Sequence, residues 1–451
     1  MIKILIGLVV LSVVVFFHEL GHFIAARLCG VVVETFSIGM GPVLFRKKKG
    51  ITEYRISAIP LGGYCGMKGE KAFQQALDQK LSTIPAEEGS LYSVGPLKRI
   101  IIAFAGPFAN LLMAVLALAI VSSIGTNYQT FSNKIAPVYL YRQTDTSPAK
   151  TAELKDGDEI IQIGDKKTDT FTDIQKEIMI NPQKQLDFTI RRDGEIIHKK
   201  ITPELNTKTG AGQLGIFYYV PLKIAKIRED GAADRAGLQA GDRIVALNGQ
   251  EVAHLIQLSY LLQDVKNKTA VFTIVRDNKK EEKTLSIIRT ENGSIDLGIF
   301  WESQTVTVPG KSFPASIIDG AKSTGEMFFL TLQSLSLLFK GVELREAVSG
   351  PLRITHMIGD IAEYGFKESF LTGLSSLSEF IAIICVSLFL MNLLPIPVLD
   401  GGLIFFAIIE LIARRQIHPR ILYYVQFIGF AFIATVFIFA LWSDMSFFLK
   451  K

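Results

Sequence analysis

The sequence predicts a polytopic α-helical membrane protein, with four transmembrane helices and two tandem extracytoplasmic α/β domains between the second and the third. Three observations predict it. Mean hydropathy is +0.33 and 49% of the 451 residues are hydrophobic, too apolar for an ordinary soluble chain. Four apolar stretches are long enough to span a hydrocarbon core of ~30 Å. The polar region between the second and third stretches repeats itself internally.

The first span covers residues 1–28, with its apolar run from Ile4 to Ala26. Lys3, the run and Ala25-Ala26 could pass for a signal peptide. His18, Glu19 and His22 argue against cleavage, because an h-region does not carry three ionisable groups. On a helix, residues i and i+4 share a face, so His18 and His22 can hold one zinc ion. Glu19 lies beside them and can act as a general base toward water. Ionisable side chains in hydrocarbon are costly and usually mark a site.

Residues 29–97 follow on the cytoplasmic side. Ser37–Phe45 and Ile51–Tyr64 flank Lys47-Lys48-Lys49-Gly50 and read as a hairpin, with Leu61-Gly62-Gly63-Tyr64 as a return turn. An ordinary cytoplasmic hairpin and a membrane-associated one both fit. The second span is 98–125; there Gly106-Pro107 and Asn110 read as close helix packing and a helix start. Basic residues crowd the loop between the first two spans (among them Arg27, Arg46, Lys47, Lys48, Lys49 and Arg55), and Arg414, Arg415 and Arg420 lie between the last two. Positive-inside logic puts both loops in the cytoplasm and both termini outside. Net charge is only +5 and no basic tract is long, so nucleic acid is not an expected partner. Cys29, Cys65 and Cys385 are far apart and odd in number, which indicates neither a disulfide framework nor a cysteine metal site.

The two extracytoplasmic copies occupy 126–220 and 221–309. Leu154-Lys155-Asp156-Gly157-Asp158 aligns with Leu238-Gln239-Ala240-Gly241-Asp242, and Phe188-Thr189-Ile190 with Phe272-Thr273-Ile274 at the same offset of 84. Leu214-Gly215-Ile216-Phe217 recurs as Leu297-Gly298-Ile299-Phe300. Each copy reads as short strands with turns at Asp193-Gly194 or Asn248-Gly249, around a helix near Phe171–Ile180 or Leu255–Asp264. The string from Ala232 to Ile244 resembles a bacterial PDZ domain. The first copy is a weaker likeness, with Glu153 where the second has Gly237. Such domains add an extended tail to a sheet edge. The Leu-Gly-Ile-Phe strings read either as carboxylate nests closing each unit, as in a circularly permuted PDZ, or as plain edge strands.

Residues 310–375 read as interfacial amphipathic helices. Phe328–Phe339, with Thr331, Gln333, Ser334 and Ser336, is too short and polar to cross, so Ser312–Gly341 is expected to lie at the interface or against protein. Arg345 and Ser349-Gly350-Pro351 suggest no role. The third span is 376–413 and the fourth 421–443. Within the third, Asn392-Leu393-Leu394-Pro395-Ile396-Pro397-Val398-Leu399-Asp400-Gly401-Gly402 breaks the helix, which is tolerable at membrane depth only where it lines a cavity or is buried in protein. Asp400 is the obvious third ligand beside His18 and His22; a helix cap is the plain alternative. From Lys3 to His18 is roughly 22 Å of helix, which puts the site toward the cytoplasmic side. His198 and His254, in the two copies, and His418, in a basic loop, read as surface histidines, and His356 as lacking an acidic companion.

These motifs, in this order and topology, resemble the site-2 protease family of peptidase M50-like intramembrane zinc metalloproteases, in particular its bacterial regulator-of-sigma-E branch. The resemblance implies Zn2+ on His18, His22 and Asp400, Glu19 as catalytic base, and Asn392 contacting the substrate. It also supports a membrane-associated hairpin, and Gly106-Pro107 and Asn110 are similar to the family as well. It implies a bacterial inner-membrane endopeptidase, with termini and PDZ-like domains in the periplasm, that cuts single-pass membrane protein substrates within the lipid bilayer. Those substrates would be a pre-trimmed anti-sigma factor and, in addition, signal-peptide remnants. The competing class is a non-catalytic, membrane-anchored tandem-PDZ adaptor with a structural metal, for which a fourth ligand is missing. A zinc transporter would need ionisable residues in spans two and four, which have almost none.

Overall fold

The computed structural model describes residues 2–142, 146–289, 295–337 and 350–449. In chain order the helices are α1 (Ile2–Leu28), α2 (Glu70–Asp78), α3 (Pro96–Ile124), α4 (Pro148–Thr151), α5 (Phe171–Met179), α6 (Ala232–Arg235), α7 (Leu255–Asp264), α8 (Phe313–Leu337), α9 (Pro351–Glu368), α10 (Phe370–Asn392), α11 (Asp400–Ala413) and α12 (Pro419–Leu449). Two units form: residues 1–126 with 308–451, and residues 127–307. Within the described residues, four helices are long and apolar enough to cross a membrane: α1, α3, α10 and α12.

In the first unit small residues let the helices approach. Gly21 of α1 faces Ala105 and Ala109 of α3 closely enough that a Cβ would collide with them. Val14, Ala114, Ala117, Leu118, Ala382, Cys385 and Val386 form a buried seam between α1, α3 and α10. Such seams suit a membrane, where shape and close contact replace hydrophobic drive. Helix α8 lays Met327 and Phe328 on that seam, and its Gly320 meets Val115 and Ala119. It is therefore packed on protein; the expected end of this helix at Gly341 lies outside the described residues, as do Arg345 and Ser349. Gly350 and Pro351 begin α9, whose orphan amides are satisfied in trans. The buried Asp444 carboxylate of α12 accepts from the N–H groups of Gly350, Leu352 and Arg353 at 2.9–3.2 Å, which is a helix cap supplied by another helix.

The hairpin is more elaborate than two strands. Strands β1 (Val33–Lys49) and β2 (Thr52–Met67) are both long and bent. Thr35–Ile38 pairs with Gly63–Gly66 and also with Glu53–Ile56, while Val43–Lys49 pairs with Thr52–Ser57. Leu61–Tyr64 is thus not a turn but part of β2, which bulges back onto β1. Gly63 brings this sheet against α1, since a Cβ there would sit 3.0 Å from Glu19 Cγ.

The second unit holds the two PDZ-like copies. Their cores are equivalent: Leu154, Ile160, Ile174, Phe188 and Ile190 in one, and Leu238, Ile244, Leu258, Phe272 and Ile274 in the other, are related by the offset of 84. Each Leu-Gly-Ile-Phe string folds back on a strand near the start of its own copy: Ile216–Tyr218 on Ile135–Pro137, and Ile299–Trp301 on Ile224–Ile227. Each pairing forms a two-stranded sheet beside the four-stranded sheet of its copy. Glu153 and Gly237 both adopt left-handed backbone, φ 51° and 75°, which costs the first copy what glycine avoids in the second.

Two histidine expectations are corrected here. His254 is not on the surface: it is fully buried, its Nε2 lies 2.8 Å from the Tyr141 hydroxyl and 3.3 Å from Asp156, and Tyr219 packs on its ring. These partners all come from the first copy, which no local pattern reveals. His356 does have an acidic companion, Asp360, one turn on at 2.9 Å, and Lys3 joins Asp360 and Glu363.

Each copy is also pinned by the same ion pair. Arg192 grips Asp158 through Nε and Nη2, both at 2.7 Å, and Arg276 grips Asp242 at 2.7 and 2.6 Å. Both guanidiniums also donate at 3.0 Å to the carbonyl of the left-handed residue, Glu153 or Gly237. Burial alone would raise the Asp242 carboxyl, but Arg276 and the Gln239 amide hold it below its ordinary value. Arg276→Gln should therefore destabilise the chain by on the order of 3 kcal/mol at neutral pH, because it leaves a buried carboxylate unpaired. The pair's contribution is complete above about pH 4 and is lost as pH falls through the lower folded value. Urea midpoints of wild type and variant should therefore converge in that interval, and a pH-independent gap would refute this.

Candidate metal centre

Helix α1 presents His18 and His22 one turn apart, and α11 begins at Asp400. The structure brings all three together. His18 Nε2 lies 3.2 Å from His22 Nε2, and each stands 3.3 Å from one Asp400 oxygen. Three donors, one from each side chain, fall within 4.8 Å of one another. Zinc bonded at ~2.0–2.1 Å in a tetrahedron separates its ligand atoms by about 3.3 Å. The residues thus fit a cation without rearrangement.

The outer contacts fit as well. A metal-binding imidazole usually donates its second N–H to an oxygen, which fixes the tautomer. His22 Nδ1 is 2.8 Å from the Ile102 carbonyl of α3. His18 Nδ1 is 3.2 Å from the carboxamide nitrogen of Asn110, while the Asn110 Oδ1 is buried and unpartnered among the described residues. Turning the carboxamide by 180° sets Oδ1 opposite the His18 Nδ1–H, which gives that N–H its acceptor. Both Nε2 lone pairs then face a common point. Gly106 lies where a Cβ would overlap the His22 ring. Close packing holds at Gly106, while the helix-start reading is corrected: Gly106 and Asn110 both sit mid-helix, one turn apart, against the two imidazoles.

The break before Asp400 is shaped by its neighbours. Helix α10 ends at Asn392, and Pro395 and Pro397 forbid its continuation. Val398 takes φ 91°, a strained value for a β-branched residue. Gly401 and Gly402 let the loop fold onto the start of α11, where side chains would strike the carbonyls of Leu393, Leu394 and Ile396; Gly429 of α12 accepts Pro397 in the same way. Leu399, not Asp400, is the residue that precedes the helix, and both Asp400 oxygens face imidazole nitrogens rather than backbone amides.

Glu19 lies against β2, where its carboxylate accepts from the Cys65 backbone N–H and its Cγ abuts Gly63. Glu19, Asn392, Asp400 and both histidines line one cavity of ≈ 710 Å³ that also reaches Tyr92, Arg99 and Glu410.

Apolar helices that enclose a His-His-Asp cluster beside a glutamate define a membrane-embedded metalloprotease. The chain belongs to peptidase family M50, whose family model matches residues 6–436. It is a zinc metalloprotease with four candidate membrane spans. A "Putative zinc metalloprotease" of Treponema pallidum is 57% identical over 447 residues, 99% of each chain. The "Regulator of sigma-E protease RseP" of Escherichia coli is 30% identical over 460 residues, 97% of each. The PDZ domain of an SdrC-like protein from Listeria innocua is similar to 19% of this chain and 96% of its own, at 24% identity and TM-score 0.17.

Gly106→Ala would push a methyl group into the His22 ring. It should weaken zinc binding at least about 10-fold in chelator competition, with the helical circular dichroism unchanged; unaltered affinity would refute the contact.

Proposed function

We propose that the chain is a site-2 type endopeptidase in which His18, His22 and Asp400 hold zinc, Glu19 is the general base and Asn392 contacts the substrate. The spacing of the three donors, with Glu19 in the same cavity, carries this reading. A zinc ion here supplies Lewis acidity toward a scissile carbonyl and makes water more acidic. Glu19 takes the proton of the attacking water and hands it to the leaving amine, and the Cys65 amide holds its carboxylate in place. Asn392, at the end of α10, offers an amide donor to the substrate backbone.

A transmembrane substrate hides its peptide bonds in helical hydrogen bonds, so it must unwind before cleavage. The β1–β2 sheet, pressed against α1 beside Glu19, would receive the unwound segment as an added strand. Charge bias supports termini and PDZ-like copies outside, with the site toward the cytoplasmic half of a bacterial inner membrane. The name of the Escherichia coli relative suggests control of a sigma factor, and the substrates we propose are pre-trimmed single-pass proteins of the anti-sigma type, together with signal-peptide remnants. In the first PDZ-like copy, α5 and the Ile216–Tyr218 strand wall a cavity of ≈ 750 Å³, suited to an extended tail.

Glu19→Gln should lower cleavage of a model single-pass helix by at least about 10³-fold while zinc content stays at one per chain; retained activity would eliminate Glu19 as base. Removal of residues 127–307 should release cleavage of untrimmed substrates. If selectivity for trimmed substrates survives the deletion, the PDZ-like pair is not the filter.

A further inference from the structure

Asp400 reaches the imidazoles from the first residue of α11, after a loop that contains two prolines and a strained valine. A carboxylate carried this way needs a second anchor to keep its helix in register. We propose that the Arg99–Glu410 ion pair is that anchor: it pins α11 to α3 so that Asp400 meets His18 and His22. This rests on the zinc reading above.

Helix register supports it. Arg99, Ile102, Gly106 and Asn110 recur at intervals of 3, 4 and 4, so they share one face of α3. The last three of them engage the histidines directly. On α11, Asp400, Leu403, Ala407 and Glu410 recur at 3, 4 and 3 and line the same cavity. Glu410 therefore lies about 15 Å along the axis from Asp400. Helix α11 meets α3 through the α1 histidines at the centre and directly at this pair.

The pair is also costly. The Arg99 and Glu410 side chains are only 15% and 8% exposed. Arg99 Nη2 donates to Glu410 Oε2, and Glu410 Oε1 accepts from the Ile417 N–H at 2.9 Å, which fixes the end of α11 as well. Arg99 Nε stays buried and unpartnered among the described residues. Apolar side chains of similar volume would avoid this desolvation. What they would not supply is a directional contact between two helices. Site geometry tolerates about 0.5 Å and 10–20° before function falls, and a small rotation of α11 exceeds that at Asp400.

The test uses the full chain in detergent, as wild type, Arg99→Gln, Glu410→Gln, both together, and Arg99→Lys. Three quantities are read: zinc affinity by chelator competition, the visible spectrum of the cobalt-substituted protein, and the thermal midpoint of the metal-free protein. Each glutamine variant should bind zinc about 10–100-fold more weakly with an altered cobalt spectrum. The double variant should be no weaker than the weaker single, because the pair acts as one unit, and Arg99→Lys should stay within about threefold of wild type. Wild-type zinc affinity in both glutamine variants overturns the proposal, as does a cobalt spectrum that never changes. If the single variants fail to fold, Arg99→Met with Glu410→Leu fills the same volume: weakened zinc binding in that folded protein supports the anchor, and normal binding refutes it. Absence of zinc binding in wild type would instead sink the metal reading itself.

Discussion

Two imidazole nitrogens and a carboxylate converge in a region flanked by hydrocarbon, and every feature around them follows from the cost of putting them there. Unpaired polar groups at that depth are penalised heavily. Each ligand atom therefore has a fixed neighbour behind it: the Ile102 carbonyl behind His22, the Asn110 carboxamide behind His18, and the start of α11 behind Asp400. The small residues on α1 and α3 serve the same end, because the imidazoles reach α3 only if the backbones come close. Gly21 and Gly106 are positions where a methyl group would force them apart.

The helix break between Asn392 and Asp400 answers the same constraint from the other side. A continuous helix would carry Asp400 past the site. Pro395 and Pro397 stop α10, and two amides of the loop are satisfied locally, Ile396 N–H by Leu394 O and Leu399 N–H by Ile396 O. Exposed irregular backbone is not viable in lipid, which explains why Gly401, Gly402 and Gly429 bring neighbouring backbone so near. The strain at Val398 is tolerated because the surroundings leave that segment no alternative.

Much of this architecture is legible in the residues themselves, since it rests on local periodicity. The i, i+4 spacing alone puts His18 and His22 on one face, and runs of about twenty apolar residues mark the spans. The repeat offset of 84 relates Asp158–Arg192 to Asp242–Arg276 before any coordinates are seen. What escapes is whatever depends on distant neighbours. Asn110 and Gly106 look like helix-packing residues because nothing near them in sequence tells that they face histidines 92 and 84 positions away. Arg99 and Glu410 are separated by 311 residues. His254 reads as a surface residue because its partners, Tyr141 and Asp156, belong to the other copy. The β1–β2 sheet was harder still: strand patterning reports alternation, but not that one strand segment is flanked on both sides.

The centre divides its work between two scaffolds. The histidines lean on α3, while Glu19, one residue from His18, leans on β2 through the Cys65 amide and the bare backbone at Gly63. The 100° step between successive helical residues makes this possible, because it turns Glu19 toward the sheet as it turns its neighbour toward α3. The base and the ligands are thus positioned independently, and a shift of the sheet would move Glu19 without disturbing the triad. On the proposed reading the sheet also receives the unwound substrate. The same element would then set both the peptide bond and the carboxylate that activates water against it, so that alignment of the attack depends on strand addition having occurred.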